Sequence, residues 1–160
     1  MTQLMVLIVL IFLNAFFAAT EIAFISLNDM KIEKEAKEGN KKAKAIRKMI
    51  KNPSKFLATI QIGITLAGFL SSAFASDAFA DDLAPILANI FPMFSVVVWE
   101  KISIIIITMI LSYFTLVFGE LVPKRIAMKY YEKLAYASIG IIRFISVCTA
   151  PFVKLLTFST

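Results

Sequence analysis

The sequence predicts an all-α integral membrane protein, and three observations predict it. Of its 160 residues 59% are hydrophobic. Its mean hydropathy is +0.82. Long apolar runs alternate with polar connections, the first strongly basic and the second acidic at its start. Composition also excludes chemistry. There is no His and one Cys, Cys148, in an apolar segment. Zinc sites of the Cys/His kind, iron–sulfur clusters, an internal disulfide and a His-based triad are therefore ruled out. No Ser sits in a nucleophile-elbow or Ser–Lys setting, so no enzyme activity is expected. A bound metal would take oxygen ligands, which suits hard cations such as Mg2+.

The first apolar run, about 4–27, lacks a basic leader and is too long for a signal peptide, so it reads as a retained span. Asn14, Thr20 and Glu21 lie near one face of that helix and are expected to point into protein. The stretch Asn28–Lys55 follows, with ten Lys/Arg against four acids, an excess equal to the whole chain's +6. A basic stretch between two spans marks the cytoplasmic side better than it marks nucleic acid. Ile32, Ala36, Ala43, Ile46 and Ile50 recur at helical spacing around the break Gly39-Asn40. They predict a pair of short helices on the membrane surface, basic side toward anionic headgroups.

Asn52-Pro53-Ser54 opens the second span, about 56–76, with Asn52 or Ser54 as cap. Thr59, Gly63, Ala67, Ser71 and Ala75 recur every four residues, widened by Gly68, Ser72 and Ser76. This small-residue face lets helices approach closely. Asp77–Trp99 reads as an outer polar connection containing Pro85 and Pro92, with Trp99 as interfacial anchor for the third span, about 102–120. That order puts the N-terminus outside and Lys124 inside. The apolar segment Leu134–Phe158 carries Arg143 near its middle and Pro151. It reads as a bent helix on the cytoplasmic interface, with a fourth span as the alternative.

Chemistry concentrates at Leu116-Val-Phe-Gly-Glu-Leu-Val-Pro-Lys-Arg125. Glu120 closes an apolar run, and Pro123 removes a backbone donor, so the helix is expected to end or break there. Free carbonyls at membrane depth need protein or a water-filled cavity, and an intramembrane acid is by default a functional residue. The plainer alternative is an ion pair between Glu120 and Lys124 one turn on.

Three motifs carry a resemblance: Asn14-Ala-Phe-Phe-Ala-Ala-Thr-Glu-Ile-Ala-Phe24, the run Asn52 to Ser72, and Gly119-Glu-Leu-Val-Pro-Lys124. Together, in this order, the chain resembles the transmembrane domain of the CorC/cyclin M (CNNM) magnesium transporters, whose bacterial members are often labelled hemolysin-like. The resemblance implies a homodimer with three spans per subunit, a juxtamembrane belt helix at about 124–158, and CBS and further cytoplasmic domains outside this segment. It implies Mg2+ export across the plasma membrane, with Na+ as coupling ion and Mg2+ against Co2+ selectivity open. The implied ligand positions are Thr20, Gly68, Ser71, Ser72 and Glu120, with Glu21 a packing or gating acid. Some relatives have Asn where this chain has Ile64 or Gly68, so carbonyls near Gly68 are expected to substitute. Thr20 and Ser71 differ in depth by roughly 13 Å on straight helices. A shared site therefore predicts tilt or an unwound turn at Gly68 and Pro123. The rival to transport is a non-transporting Mg2+ sensor or dimerisation scaffold in the membrane.

Overall fold

The computed structural model describes residues 2–91 and 95–159, and every regular element among them is helical. In order these are α1 (Thr2–Ile25), α2 (Asp29–Lys37), α3 (Lys41–Ile50), α4 (Pro53–Ile90), α5 (Val96–Leu116), a π-helical turn (Val117–Leu121), α6 (Val122–Cys148) and α7 (Ala150–Ser159). Three stretches are long and apolar enough to cross a membrane: Gln3–Ile25, Pro53–Ala75 and the run Val96–Cys148. Helix α1 packs on both α4 and α6, and α5 packs on α4.

The short helices have local causes. Asn28 Oδ1 accepts from the Lys31 amide and caps α2. Asn40 Oδ1 accepts from the Lys42 and Ala43 amides and caps α3. Between them Gly39 takes φ +101°, a reversal that L side chains resist. Ile32, Ala36, Ala43 and Ile46 are buried, as their spacing predicts. They join Phe24 and Leu27 from the end of the first span, Phe56 and Ile60 from the start of α4, and Ala135, Ile139 and Ile142 from α6. Phe24 stacks on Phe56 with centroids 4.7 Å apart. A stack of this kind adds about 0.5–1.5 kcal/mol beyond burial.

This one core seals the basic end of the bundle and decides the placement of α6. Its apolar face lies level with the ends of the first two spans, packed on the α2–α3 hairpin. Polar ties reinforce the docking. Lys31 Nζ meets Glu132 at 2.7 Å, and the Tyr136 hydroxyl donates to Glu35. The Glu132 hydrogen bond holds the Lys31 ammonium above the usual lysine range. Helix α6 bends at Tyr130, whose φ/ψ of −119°/27° is non-helical. The expected bent helix is therefore two helices: α6 ends at Cys148, and α7 starts at Ala150 with Pro151 in its first turn.

Three expectations need correction. First, α4 does not stop at Ser76 but runs on through Asp77 and Pro85 to Ile90. The run Asp77–Ile90 is rich in Ala and Leu and has no Gly, so helix propensity outweighs its acids. What connects α4 to α5 is short, held by Trp99 Nε1 donating to the Phe91 carbonyl at 3.0 Å. Pro92 lies outside the described residues. Second, Asn52 stands at the N-cap of α4 without capping it. Its Nδ2 donates instead to the Lys48 carbonyl at 3.3 Å. Third, α4 stays helical through Gly68, with no unwound turn there.

The small face of α4 is buried as expected: Thr59, Ala67, Ser71 and Ala75 are at most 5% exposed. The closest approach falls at Gly63, where an added Cβ would lie 2.5 Å from the Phe17 ring, while at Gly68 it would meet nothing within 4 Å. Gly63→Ala is thus expected to destabilise by about 1–3 kcal/mol through overpacking. Gly68→Ala should be neutral or stabilising, since it restores helix propensity. Melting temperatures of the two variants in one detergent check this, and equal values would place the tight contact elsewhere.

Candidate functional site

The site is built on a backbone defect. Pro123 has no N–H to return to the carbonyl four residues earlier, Gly119. The chain absorbs this loss in a π-helical turn over Val117–Leu121, with the Val122 amide bonded to the Val117 carbonyl. The expected break is therefore a widened turn, and the helix continues into α6. From α1, Asn14 Nδ2 supplies the missing donor, 3.1 Å from the Gly119 carbonyl oxygen. Asn14 is 4% exposed, so this bond forms in a buried place where an orphaned acceptor is costly. Gly119 must be small there, because a Cβ would lie 3.1 Å from Asn14 Nδ2.

The next residue in the turn is Glu120. Its Oε1 accepts from Lys124 Nζ at 2.8 Å, and the same ammonium lies 3.2 Å from Glu21 Oε2. All three side chains are partly buried, between 23% and 33% exposed. The ion pair anticipated between Glu120 and Lys124 is present, and it is one arm of a bridge. Lys124 ties two carboxylates from two helices. Sequence spacing shows the Glu120 arm but not the Glu21 arm.

The other candidate ligands can be placed by register. Phe24 against Phe56 and Phe17 against Gly63 both show α1 and α4 running antiparallel in step. Continuing that step puts Asn14 level with Leu66 and Thr20 level with Ile60. At about 1.5 Å per residue, the Gly68 backbone lies about 3 Å outward of Asn14, and Ser71 and Ser72 lie about 7–9 Å outward. Thr20 lies about 9 Å the other way, toward the basic end. Its hydroxyl, 2% exposed, donates to the Phe16 carbonyl of its own helix at 2.7 Å. By this register Asn14, Gly68 and Ser71 lie within about 8 Å of depth, while the Glu120 carboxylate reaches through Lys124 toward Glu21, beside Thr20.

Four buried side-chain oxygens among the described residues have no hydrogen-bond partner: Asn14 Oδ1, Ser71 Oγ, Ser103 Oγ and Thr115 Oγ1. Such atoms are rare and need a reason. Ser103 lies about 24 Å outward of Gly119 along its helix, far from the rest. The other three come one from each span and fall within about 8 Å of depth. Thr115 is the residue that sequence reading missed. It stands one turn before Gly119, a spacing that puts both on the same helix face, and that was the available signal. Among the described residues no three acids, Cys or His come together. A cation held here would rest on one carboxylate, hydroxyls and carbonyls.

Comparison with known proteins bears on what such a site serves. Residues 5–160 match the family model of the cyclin M transmembrane N-terminal domain. The UPF0053 protein sll0260 of Synechocystis is 39% identical over 158 residues, covering 99% of this chain and 35% of the relative. The UPF0053 inner membrane protein YfjD of Escherichia coli is 28% identical over 144 residues, 90% of this chain and 30% of its own. A polyamine export protein of Haemophilus influenzae is 25% identical over 151 residues, 94% of this chain and 34% of its own. The chain thus spans about a third of the length of these relatives.

The Asn14–Pro123 account predicts non-additive mutations. Asn14→Ala should cost about 1–3 kcal/mol by leaving a buried carbonyl unsatisfied. Pro123→Ala restores a backbone N–H, so in that background Asn14→Ala should cost clearly less. A double-mutant cycle on detergent stability should show coupling of about 0.5–3 kcal/mol. Simple additivity would mean that the two residues do not serve the same carbonyl.

Proposed function

The chain belongs to the cyclin M transmembrane-domain family, and from that premise we propose that it carries Mg2+ across the plasma membrane by alternating access. In this reading it works as a homodimer that exports Mg2+ from the cytoplasm in exchange for Na+, with the basic end inside by the positive-inside rule. The observation that carries the reading is the π-helical turn, which carries Glu120 next in sequence to Gly119, whose carbonyl Asn14 holds. Mg2+ prefers near-octahedral oxygen ligands and sheds water reluctantly. One carboxylate, the unpartnered oxygens of Asn14, Ser71 and Thr115, the Gly119 carbonyl and retained waters would supply such a shell without any soft ligand. Ser72 and Thr20 stand at the two ends of the path.

Lys124 gives the site its off state. Its ammonium pairs with both Glu120 and Glu21 and offsets one of their two negative charges. An arriving Mg2+ takes Glu120 and leaves Lys124 to Glu21, which makes Glu21 the gating acid. The same geometry favours a second reading. Two carboxylates already hold one ammonium, and one relative is named a polyamine export protein. An amine cargo would use Glu21 and Glu120 in place of Lys124.

Thermal stability against added cation separates these readings, since a ligand that binds only the folded state stabilises it by RT ln(1 + [L]/Kd). Mg2+ should raise the melting temperature, Glu120→Gln should abolish the rise with helicity intact, and Lys124→Met should keep it. An undiminished Mg2+ shift in Glu120→Gln would remove the residue from the site. A larger shift with spermidine than with Mg2+, lost in Glu21→Gln, would favour the amine. Mg2+ flux in proteoliposomes distinguishes a transporter from a sensor.

A further inference from the structure

The α2–α3 hairpin segregates its charges. Its three glutamates are occupied on one side: Glu33 with Arg47 and Lys37, Glu38 with Lys34, and Glu35 with Tyr136, while Glu132 of α6 takes Lys31. On the other side, a cavity of about 440 Å³ opens between α3, the start of α4 and the end of α6. Five cations line it, Lys41, Lys44, Lys48, Lys55 and Arg143, and no acid does. Among the described residues none of the five forms an ion pair. Five positive charges around one cavity repel each other, so the arrangement calls for an anion.

Two further features define that anion. The N-terminus of α4 borders the cavity through Asn52 and Lys55, and the Asn52 side chain does not cap it. The positive end of a 38-residue helix is left facing the same space. The cavity's inner wall is apolar, made by Met49, Phe56 and Ile142. Phe56 and Ile142 belong to the core at the basic end of the spans. The neighbours Phe144 and Val147 are about 70% exposed, an apolar rim at the level where α4 enters its span. A phosphate fits the cations and an acyl chain fits the wall and rim. We infer that this cavity is a specific site for the headgroup of an anionic phospholipid, which pins α3, α4 and α6 together at the membrane surface. It is independent of the ion site and of the cargo, and an acidic lipid there would clamp the basic end on which α6 is docked.

The test uses the chain in nanodiscs of phosphatidylcholine with added phosphatidylglycerol, with bound lipid counted by native mass spectrometry after detergent release. Lys44→Gln/Lys48→Gln removes two cavity cations. Lys42→Gln/Lys51→Gln removes two exposed lysines that do not line the cavity and makes the same change in net charge. At the contribution usual for one basic residue near an anionic surface, the cavity pair should weaken phosphatidylglycerol retention about thirtyfold. The control pair should leave it within about threefold, and Arg143→Gln should weaken it about fivefold. Equal losses in the two double variants would reduce the cavity to diffuse surface attraction and overturn the proposal. Displacement of the lipid by millimolar inorganic phosphate would also overturn it, assigning the cations to a free anion.

Discussion

The hydrogen bond from Asn14 to the Gly119 carbonyl is the interaction on which the rest of the structure depends. Pro123 makes it necessary by removing the donor that an unbroken helix would provide. The π-helical turn makes it possible by swinging the carbonyl toward α1. Glycine at 119 lets the two backbones come close enough. One consequence follows for the neighbours in sequence. Glu120 is carried on the widened turn and not on a regular helix, next in sequence to the Gly119 carbonyl that Asn14 holds. A second consequence is that α5 and the start of α6 stay continuous through the turn, up to the bend at Tyr130.

The basic end is held by different physics. Its core combines side chains from α1 and its C-terminal end, α2, α3, α4 and α6, from Phe17 to Ile142, and excludes water by apolar packing. Polar ties at its edge, Lys31–Glu132 and Glu35–Tyr136, orient α2 on α6 but are partly exposed and contribute little to stability. Lys124 links the two regions. It starts one turn beyond the π-helical segment and reaches back to Glu120 and across to Glu21 on α1. It thereby joins the π-helical turn to the sealed end through α1.

Much of this was legible in the sequence because it rests on local chemistry. Periodicity in α2 and α3 gave the buried residues, Gly39-Asn40 marked the break between the two helices, and the four-residue repeat of small side chains on α4 gave its packing face. What was not legible required a partner from another helix. The proline rule says that a donor is lost, and it cannot say that Asn14 replaces it and lets the helix continue. The tight spot at Gly63 rather than Gly68 depends on where the Phe17 ring comes to rest. The extension of α4 to Ile90 was hidden because acids were taken to end the helix, whereas Ala and Leu around them favour it. Thr115 passed unnoticed because an isolated Thr in a span usually bonds its own helix, and here its hydroxyl does not.

The central claim is that the proline-forced turn presents Glu120 and the Gly119 region, level with Asn14, as the place where a divalent cation sits. Anomalous diffraction from crystals soaked in Mn2+, as a heavier substitute for Mg2+, tests it most directly. The account predicts one dominant peak per protomer, about 2.0–2.2 Å from a Glu120 oxygen, with Lys124 withdrawn toward Glu21. A dominant peak at Glu21 alone, or at the acidic outer half of α4 with Lys124 still bridging both carboxylates, would contradict it.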